Sequence, residues 1–291
     1  MNIAHLRAFH VVGTEGSFTT AARALNVTQP TLSGQVAALE KTYGVRLFDR
    51  TKRGVILTTI GETLLGVTRR LFSLESEAEE TLSAARELKH GILRVGADGP
   101  HHIIPVLAAF TRRYPGLDVS LDMGTSNRIL RDLREYRIDI AIVARVEADP
   151  RFYSLPLCRS PLVLFVPRTH AWARRSSVRL AEVAGERMIV RETASVTRQV
   201  FQSALESAGI APQSVMQIES REAVREAVAA GLGIGVVALA EFDNDKRLTA
   251  LRVRDAKLDI VEHIVCLAGR RRSRIVRAFL ELADAHKTTR A

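Results

Sequence analysis

Residues 17–40 read SFTTAARALNVTQPTLSGQVAALE. Phe18, Ala21, Ala22 and Leu25 recur at helical spacing and give one apolar face. Ser17 is a good N-cap, and Asn26 tolerates the left-handed backbone that ends a helix. Thr28 then caps a second helix, with Pro30 in its first turn, where no hydrogen bond is lost. Leu32, Val36 and Leu39 form that helix's buried face, so Gln29, Thr31, Ser33 and Gln35 are expected to point outward. Short polar side chains near a helix start suit base edges in a major groove, and the first N–H groups suit a phosphate. Spacing alone fits an ordinary helical hairpin with a polar outer face equally well.

The same stretch resembles the winged helix-turn-helix of LysR-type transcriptional regulators. Ser17, Phe18, Ala21, Ala22, Thr28, Gln29, Pro30, Leu32, Ser33, Leu39 and Glu40 carry the resemblance, flanked by Leu6, Phe9 and Phe48-Asp49-Arg50. It extends over the whole chain and implies an α/β protein with an N-terminal all-α winged helix-turn-helix, a long linker helix and a two-lobed periplasmic-binding-protein-like effector domain. The implied boundaries are 1–58, 59–90 and 91–291, with lobe I about 91–161 and 268–291, and lobe II about 162–267. The implied function is sequence-specific regulation of transcription under a small effector. The implied partners are double-stranded DNA, a second copy through the linker helix, usually a tetramer, and RNA polymerase. DNA contacts are expected from Thr28, Gln29, Pro30, Thr31, Ser33 and Gln35, with Arg50, Lys52 and Arg53 on phosphates or in the minor groove.

Length and charge agree with this plan without requiring it. A chain of 291 residues exceeds one small core and suggests two or three domains. The net charge of +10 favours a polyanionic partner. Arg270, Arg271, Arg272, Arg274 and Arg277 hold much of the C-terminal excess and read as a solvated helix start, or less readily as a second DNA or partner contact. No signal peptide and no apolar run of about 20 residues is visible, so a cytoplasmic protein is expected. Cys158 and Cys266 form no disulfide framework and read as structural thiols rather than a redox switch.

Ile3, Leu6, Phe9 and Val12 mark an amphipathic first helix, with His10 as a partly buried packing residue. Val45 to Thr58 alternates around Lys52-Arg53-Gly54, a hairpin with a basic tip. Leu64, Leu71, Ala78 and Ala85 are spaced by seven, and Val67, Leu74, Thr81 and Leu88 follow three behind each. This seam suits a partner helix, although an isolated amphipathic helix has the same pattern. His90-Gly91 ends it, and short apolar strands alternating with helices follow. Expected strands are ILRVGA, LDVSLDMG, IDIAIVA, PLVLFVP, MIV, MQIE, GIGVVA and KLDIVEHIVCLA. Helices are expected over 103–114, 126–136, 195–209, 221–231 and 273–286. The resemblance places crossovers between the lobes near Leu162–Val166 and Val261–Leu267.

Ligands in such folds bind at strand carboxyl ends, between the lobes. Four polar segments follow strands there: Gly99, Pro100, His101 and His102; Thr125 and Ser126; Arg191, Thr193, Ser195, Thr197 and Arg198; and Ser220. Hydroxyls and helix N-termini suit a small anion, with Arg191, Arg198 and a histidine supplying charge. Each residue alone reads equally as a cap or surface position. Gly91 to Val143 also resembles regulators associated with 2-aminoethylphosphonate catabolism, which implies a phosphonate. No cofactor and no metal are expected, because adjacent His101 and His102 diverge without a completing ligand set. An enzyme on the α/β part lacks a nucleophile elbow, a phosphate loop and a metal cluster. An architectural DNA binder without effector control leaves the α/β half without a purpose.

Overall fold

The computed structural model describes residues 1–51, 54–82, 91–242 and 245–288. They form two compact units. The N-terminal unit begins with α1 (Ile3–Glu15), α2 (Phe18–Ala24) and α3 (Gln29–Tyr43). Each start is capped by a side-chain oxygen, from Asn2, Ser17 and Thr28 respectively. Gly16 and Gly44 close α1 and α3 at φ 65°, and Asn26 takes φ 53° in the turn between α2 and α3. The three helices bury Phe9, Val12, Ala21, Leu32, Val36 and Leu39 in one core. His10 packs its ring 4.9 Å from that of Phe72, as a partly buried packing residue should.

A hairpin of β1 (Phe48–Thr51) and β2 (Gly54–Leu57) follows, paired antiparallel from Phe48 opposite Leu57 to Thr51 opposite Gly54. Lys52 and Arg53, expected at its tip, lie outside the described residues. The Glu40 carboxylate accepts from the Leu47 and Phe48 N–H groups at 2.7 and 3.3 Å, which ties the hairpin to the end of α3. Thr58 caps the next helix, α4 (Thr59–Leu82), by accepting from the Gly61 N–H at 3.1 Å. Gly61 admits no side chain, because a Cβ there would stand 2.2 Å from the Leu47 carbonyl oxygen.

The heptad seam on α4 divides between two surfaces. Leu65 and Phe72 are buried in the N-terminal core, with Leu64 and Leu71 packed against it. Burying each of the first two side chains contributes about 1.5–3 kcal/mol. Ile60, Val67 and Leu74 remain 53–59 % exposed as a stripe at seven-residue spacing. Of the expected seam, Leu64 and Leu71 thus serve the chain's own core and Val67 and Leu74 stay exposed, whereas Leu65 and Phe72 lie off the seam. Residues 83–90, including Ala85, Leu88 and His90, lie outside the described residues.

The C-terminal unit opens with β3 (Ile92–Ala97), α5 (Ile103–Arg113), β4 (Asp118–Met123), α6 (Ser126–Arg134) and β5 (Ile140–Val143). β3 pairs parallel with both β4 and β5, the arrangement an alternating βαβαβ run requires. The chain continues through β6 (Phe152–Pro167), β7 (Ser177–Val178), β8 (Arg187–Val190), α7 (Val196–Ser207), β9 (Ser214–Gln217) and α8 (Arg221–Ala229). It closes with β10 (Ile234–Ala238), β11 (Leu248–Val253), β12 (Asp259–Leu267) and α9 (Arg274–Thr288). The strand order is β4-β3-β5-β12-β6-β10-β8-β9, with β11 pairing β6 and β7. Two larger cores lie along this sheet, beside a smaller cluster around Phe165, Ile189, Val224 and Leu248. One joins Leu93, Val95, Ile103, Phe110, Ile264 and Phe279. The other joins Leu164, Trp172, Met188, Phe201, Val236 and Leu251.

The crossovers are β6 and β12. Phe152–Pro161 of β6 pairs with β12, and Leu162–Pro167 pairs with β10 and β11. Several expectations change here. The strand expected from Pro161 begins at Phe152, because Pro156 and Pro161 are tolerated on a stretch bonded on one side only. Ile264 and Cys266, assigned to lobe II with everything up to 267, belong to the lobe I core, so the lobes divide earlier on β12. β11 is a further strand before β12 that the expected set lacks; adjacent Ala250 and Leu251 break the alternation of LTALRV. The strand expected as MQIE runs instead over Ser214–Gln217, with Ile218 and Glu219 beyond its end. Of the C-terminal arginines, Arg270 is buried and reaches Asp139 at 3.4 Å, and Arg271 stacks 3.8 Å from the Tyr153 ring centroid. These two are packing elements of lobe I. Cys158 and Cys266 lie outside any disulfide, and burial pushes the Cys266 thiol up to about 11.

Candidate functional site

Thr28 and Thr31 hydroxyls hydrogen-bond each other at 2.8 Å at the start of α3, and the Thr28 oxygen also accepts from the Thr31 N–H at 3.3 Å. Gln29, Pro30 and Thr31 are exposed. Ser33 and Gln35 are only half-exposed, which corrects the expectation that they face fully outward. At about 100° per residue they flank the Leu32–Val36–Leu39 face, and the residues opposite it are Pro30, Gly34, Ala37 and Lys41. An added Cβ on Gly34 would meet nothing within 4 Å. The middle of the outer face of α3 therefore carries only the small residues Gly34 and Ala37, between Pro30 and Lys41. Arg50 pairs opposite Val55 in the hairpin.

In the C-terminal unit a cleft of about 640 Å³ opens between the lobes. Pro100, His101, Thr125, Arg191 and Ser220 line it, from four different strand ends. A side cavity of about 20 Å³ shares Asp98, Thr125, Arg191, Glu192, Arg221 and Glu241 with the cleft and adds Ser126, Ser195, Thr197 and Glu262. Gly99, His102, Thr193 and Arg198 line neither space. Gly99 has a different use, since a Cβ there would stand 2.8 Å from a Glu241 carboxylate oxygen. His102 takes the N-cap position of α5 without a side-chain capping bond. The Thr193 carbonyl accepts from the Gln199 amide at 2.8 Å.

The expected cation supply is taken up internally. Arg191 grips the Glu192 carboxylate, with bonds of 2.6 and 3.0 Å. Arg198 donates to the Arg191 carbonyl and to Gln217 at 2.7 Å each. Sequence reasoning missed the groups that dominate the site's electrostatics: Asp98, Arg221, Glu241 and Glu262. Asp98 accepts from the Ser126 hydroxyl and, at 2.9 Å, from the Ala144 N–H. Arg221 donates to the Asp98 carbonyl and to Glu241 at 3.2 Å. Burial raises the Asp98 carboxyl, against the lowering effect of its Ser126 and Ala144 bonds. Burial, then the nearby Asp98 and Glu241 charges, push Glu262 up to about 9. Glu262 is 6 % exposed, and one of its oxygens is buried without a hydrogen-bond partner. One signal was readable: Glu262 interrupts the apolar run of DIVEHIVCL. Phe165, Val237, Phe242 and Leu248 give the cleft an apolar wall.

Two sequence-family models match the chain. Residues 3–62 match the bacterial regulatory helix-turn-helix protein of the lysR family, and residues 86–287 match the LysR substrate binding domain. The chain belongs to the LysR family: it is a DNA-binding transcriptional regulator with a domain for a small effector. It is 29 % identical over 278 residues to the HTH-type transcriptional regulator CfxR of Cupriavidus necator, covering 94 % of this chain and 88 % of that one. Its fold matches a full-length OxyR variant from Pseudomonas aeruginosa with a TM-score of 0.81 at 22 % identity, covering 97 % and 94 % of the two chains. The regulatory domain of Synechocystis CcmR, solved in complex with 2-PG, matches with a TM-score of 0.63 at 26 % identity, covering 68 % of this chain and 98 % of that domain. Among the described residues no helix is long and apolar enough to cross a membrane.

Proposed function

We propose that the start of α3 reads base edges through Thr28, Gln29, Pro30 and Thr31, with Ser33 and Gln35 reaching from its flanks, while Arg50, Lys52 and Arg53 contact the DNA backbone. The exposed Ile60, Val67 and Leu74 stripe joins two copies, which sets two recognition helices on a two-fold site. Two such dimers form the tetramer, RNA polymerase is a further partner, and the protein acts in the cytoplasm without catalysing a reaction. A small effector enters the inter-lobe cleft at Pro100, His101, Thr125 and Ser220, as 2-PG occupies the CcmR regulatory domain.

The observation that carries this reading is the convergence of the α6, α7 and α8 starts on one space between two separately cored lobes. A ligand touching both lobes favours one lobe arrangement over another, and only such differential contact shifts a population. The cleft itself weakens the case for a simple anion or a phosphonate. Among its described lining residues five carboxyl groups face three guanidinium groups, and Arg191 and Arg221 are already ion-paired. The test is a reporter carrying the regulated promoter. Thr125→Trp should fill the cleft and abolish the response to the cognate effector while leaving DNA binding intact. A full response in that variant would contradict an effector site here.

A further inference from the structure

Glu262 poses a problem that the preceding reading does not answer. A carboxyl group on a crossing strand is nine-tenths buried, with an unpartnered oxygen in a cavity that also receives Asp98, Glu241 and Glu192. Leaving a buried polar atom unpaired is costly, and more so when it is charged. The cations nearby do not resolve it. Arg221 is engaged by Glu241 and the Asp98 carbonyl, and Arg191 by Glu192. His263, the next residue, lines neither the cleft nor the side cavity. Among the described residues no group of acids, histidines and cysteines converges as a metal site.

We propose that the effector presents a primary ammonium group, which seats in the side cavity against Asp98, Glu241 and Glu262. This rests on the cleft being the effector site. The cavity, about 20 Å³, holds one water-sized group, and an ammonium head is of that size. Thr125, Ser126 and Ser195 add hydroxyl oxygens around it, so its three N–H donors meet both carboxylates and hydroxyls. The remainder of the molecule lies in the larger cleft against Phe165 and Phe242. Binding ionises Glu262: its proton leaves to solvent and a carboxylate–ammonium pair replaces the neutral acid.

The experiment uses the full chain and four matched probes: propylamine, propanol, propionate and propyltrimethylammonium. Thermal stabilisation is measured for wild type, Glu262→Gln and Thr125→Trp. Propylamine should stabilise the wild type, whereas the neutral, anionic and oversized cationic probes should not. Because one proton is released, its affinity should rise about tenfold per pH unit between about pH 6 and pH 8. Glu262→Gln should fold, as it removes a buried acid, and should lose both the stabilisation and the slope. Absence of a propylamine shift, or an equal shift in Glu262→Gln, overturns the ammonium assignment. If propionate or propanol stabilises the wild type and Thr125→Trp abolishes that effect, the cleft stands and only the ammonium assignment falls. If Thr125→Trp changes no ligand effect at all, both fall.

Discussion

Arg221, the first residue of α8 in the second lobe, donates its guanidinium to the main-chain carbonyl of Asp98 at the end of β3 in the first. One side chain thereby spans the cleft. Its other contact, Glu241 at 3.2 Å, is 6 % exposed and relies on it for charge compensation.

Arg221→Met keeps the length and removes the charge. It should destabilise the C-terminal unit by about 3 kcal/mol, because Glu241 is left buried without its partner. Urea unfolding followed by circular dichroism measures this. An unchanged midpoint would show that the two lobes do not depend on the contact.

Stability should fall with rising pH through the buried acids. Glu262 ionises at an ordinary 4.5 when unfolded but near 9 when folded, so the folded state retains a proton the unfolded state has lost. The protonated form's advantage is complete below 4.5 and is lost as pH rises towards 9. The slope is at most roughly 1.4 kcal/mol per pH unit in that window. Asp98, also raised, adds to the same trend from a lower starting value. Glu262→Gln should flatten the profile and raise the melting temperature most at alkaline pH.

Gly34→Ala separates folding from reading. Removing a mid-helix glycine with open space around it should stabilise the N-terminal unit by about 0.5–1 kcal/mol. The new methyl stands on the face proposed to approach DNA, so affinity for the preferred site should drop by about 1–3 kcal/mol. Melting and fluorescence anisotropy on the same preparation give both numbers.

Leu74→Glu places a charge in the exposed stripe of α4. The side chain is 59 % exposed, so the isolated fold should be unaffected. Sedimentation equilibrium should show dissociation of the dimer, and cooperative binding to a two-half-site duplex should be lost.

The N-terminal unit was legible because its signals are local. Caps, turn residues and apolar spacing all lie within the short stretch that makes α2, its turn and α3. The divided role of α4 was not, since heptad spacing cannot say which molecule supplies the opposing surface. Leu65 and Phe72 turn inward only because α1 lies there. In the C-terminal unit the strand–helix alternation was readable, yet the long β6 was hidden by Pro156 and Pro161. The strand-end hydroxyls Thr125 and Ser220 line the cleft that the family resemblance implied. Asp98 and Arg221 stand in the strand-end segments but were not selected, and Glu241 and Glu262 were missed because only tertiary structure makes them neighbours of that cleft.

The proposal that α3 in paired copies reads a specific DNA sequence is tested by selecting duplexes from a random-sequence pool with the full chain. Successive rounds should enrich an inverted repeat whose half-sites lie a helical turn or a multiple apart, and Gln29→Ala should relax the preference at one position of each half-site. A pool that stays random after selection, with binding governed by salt alone, would contradict the account.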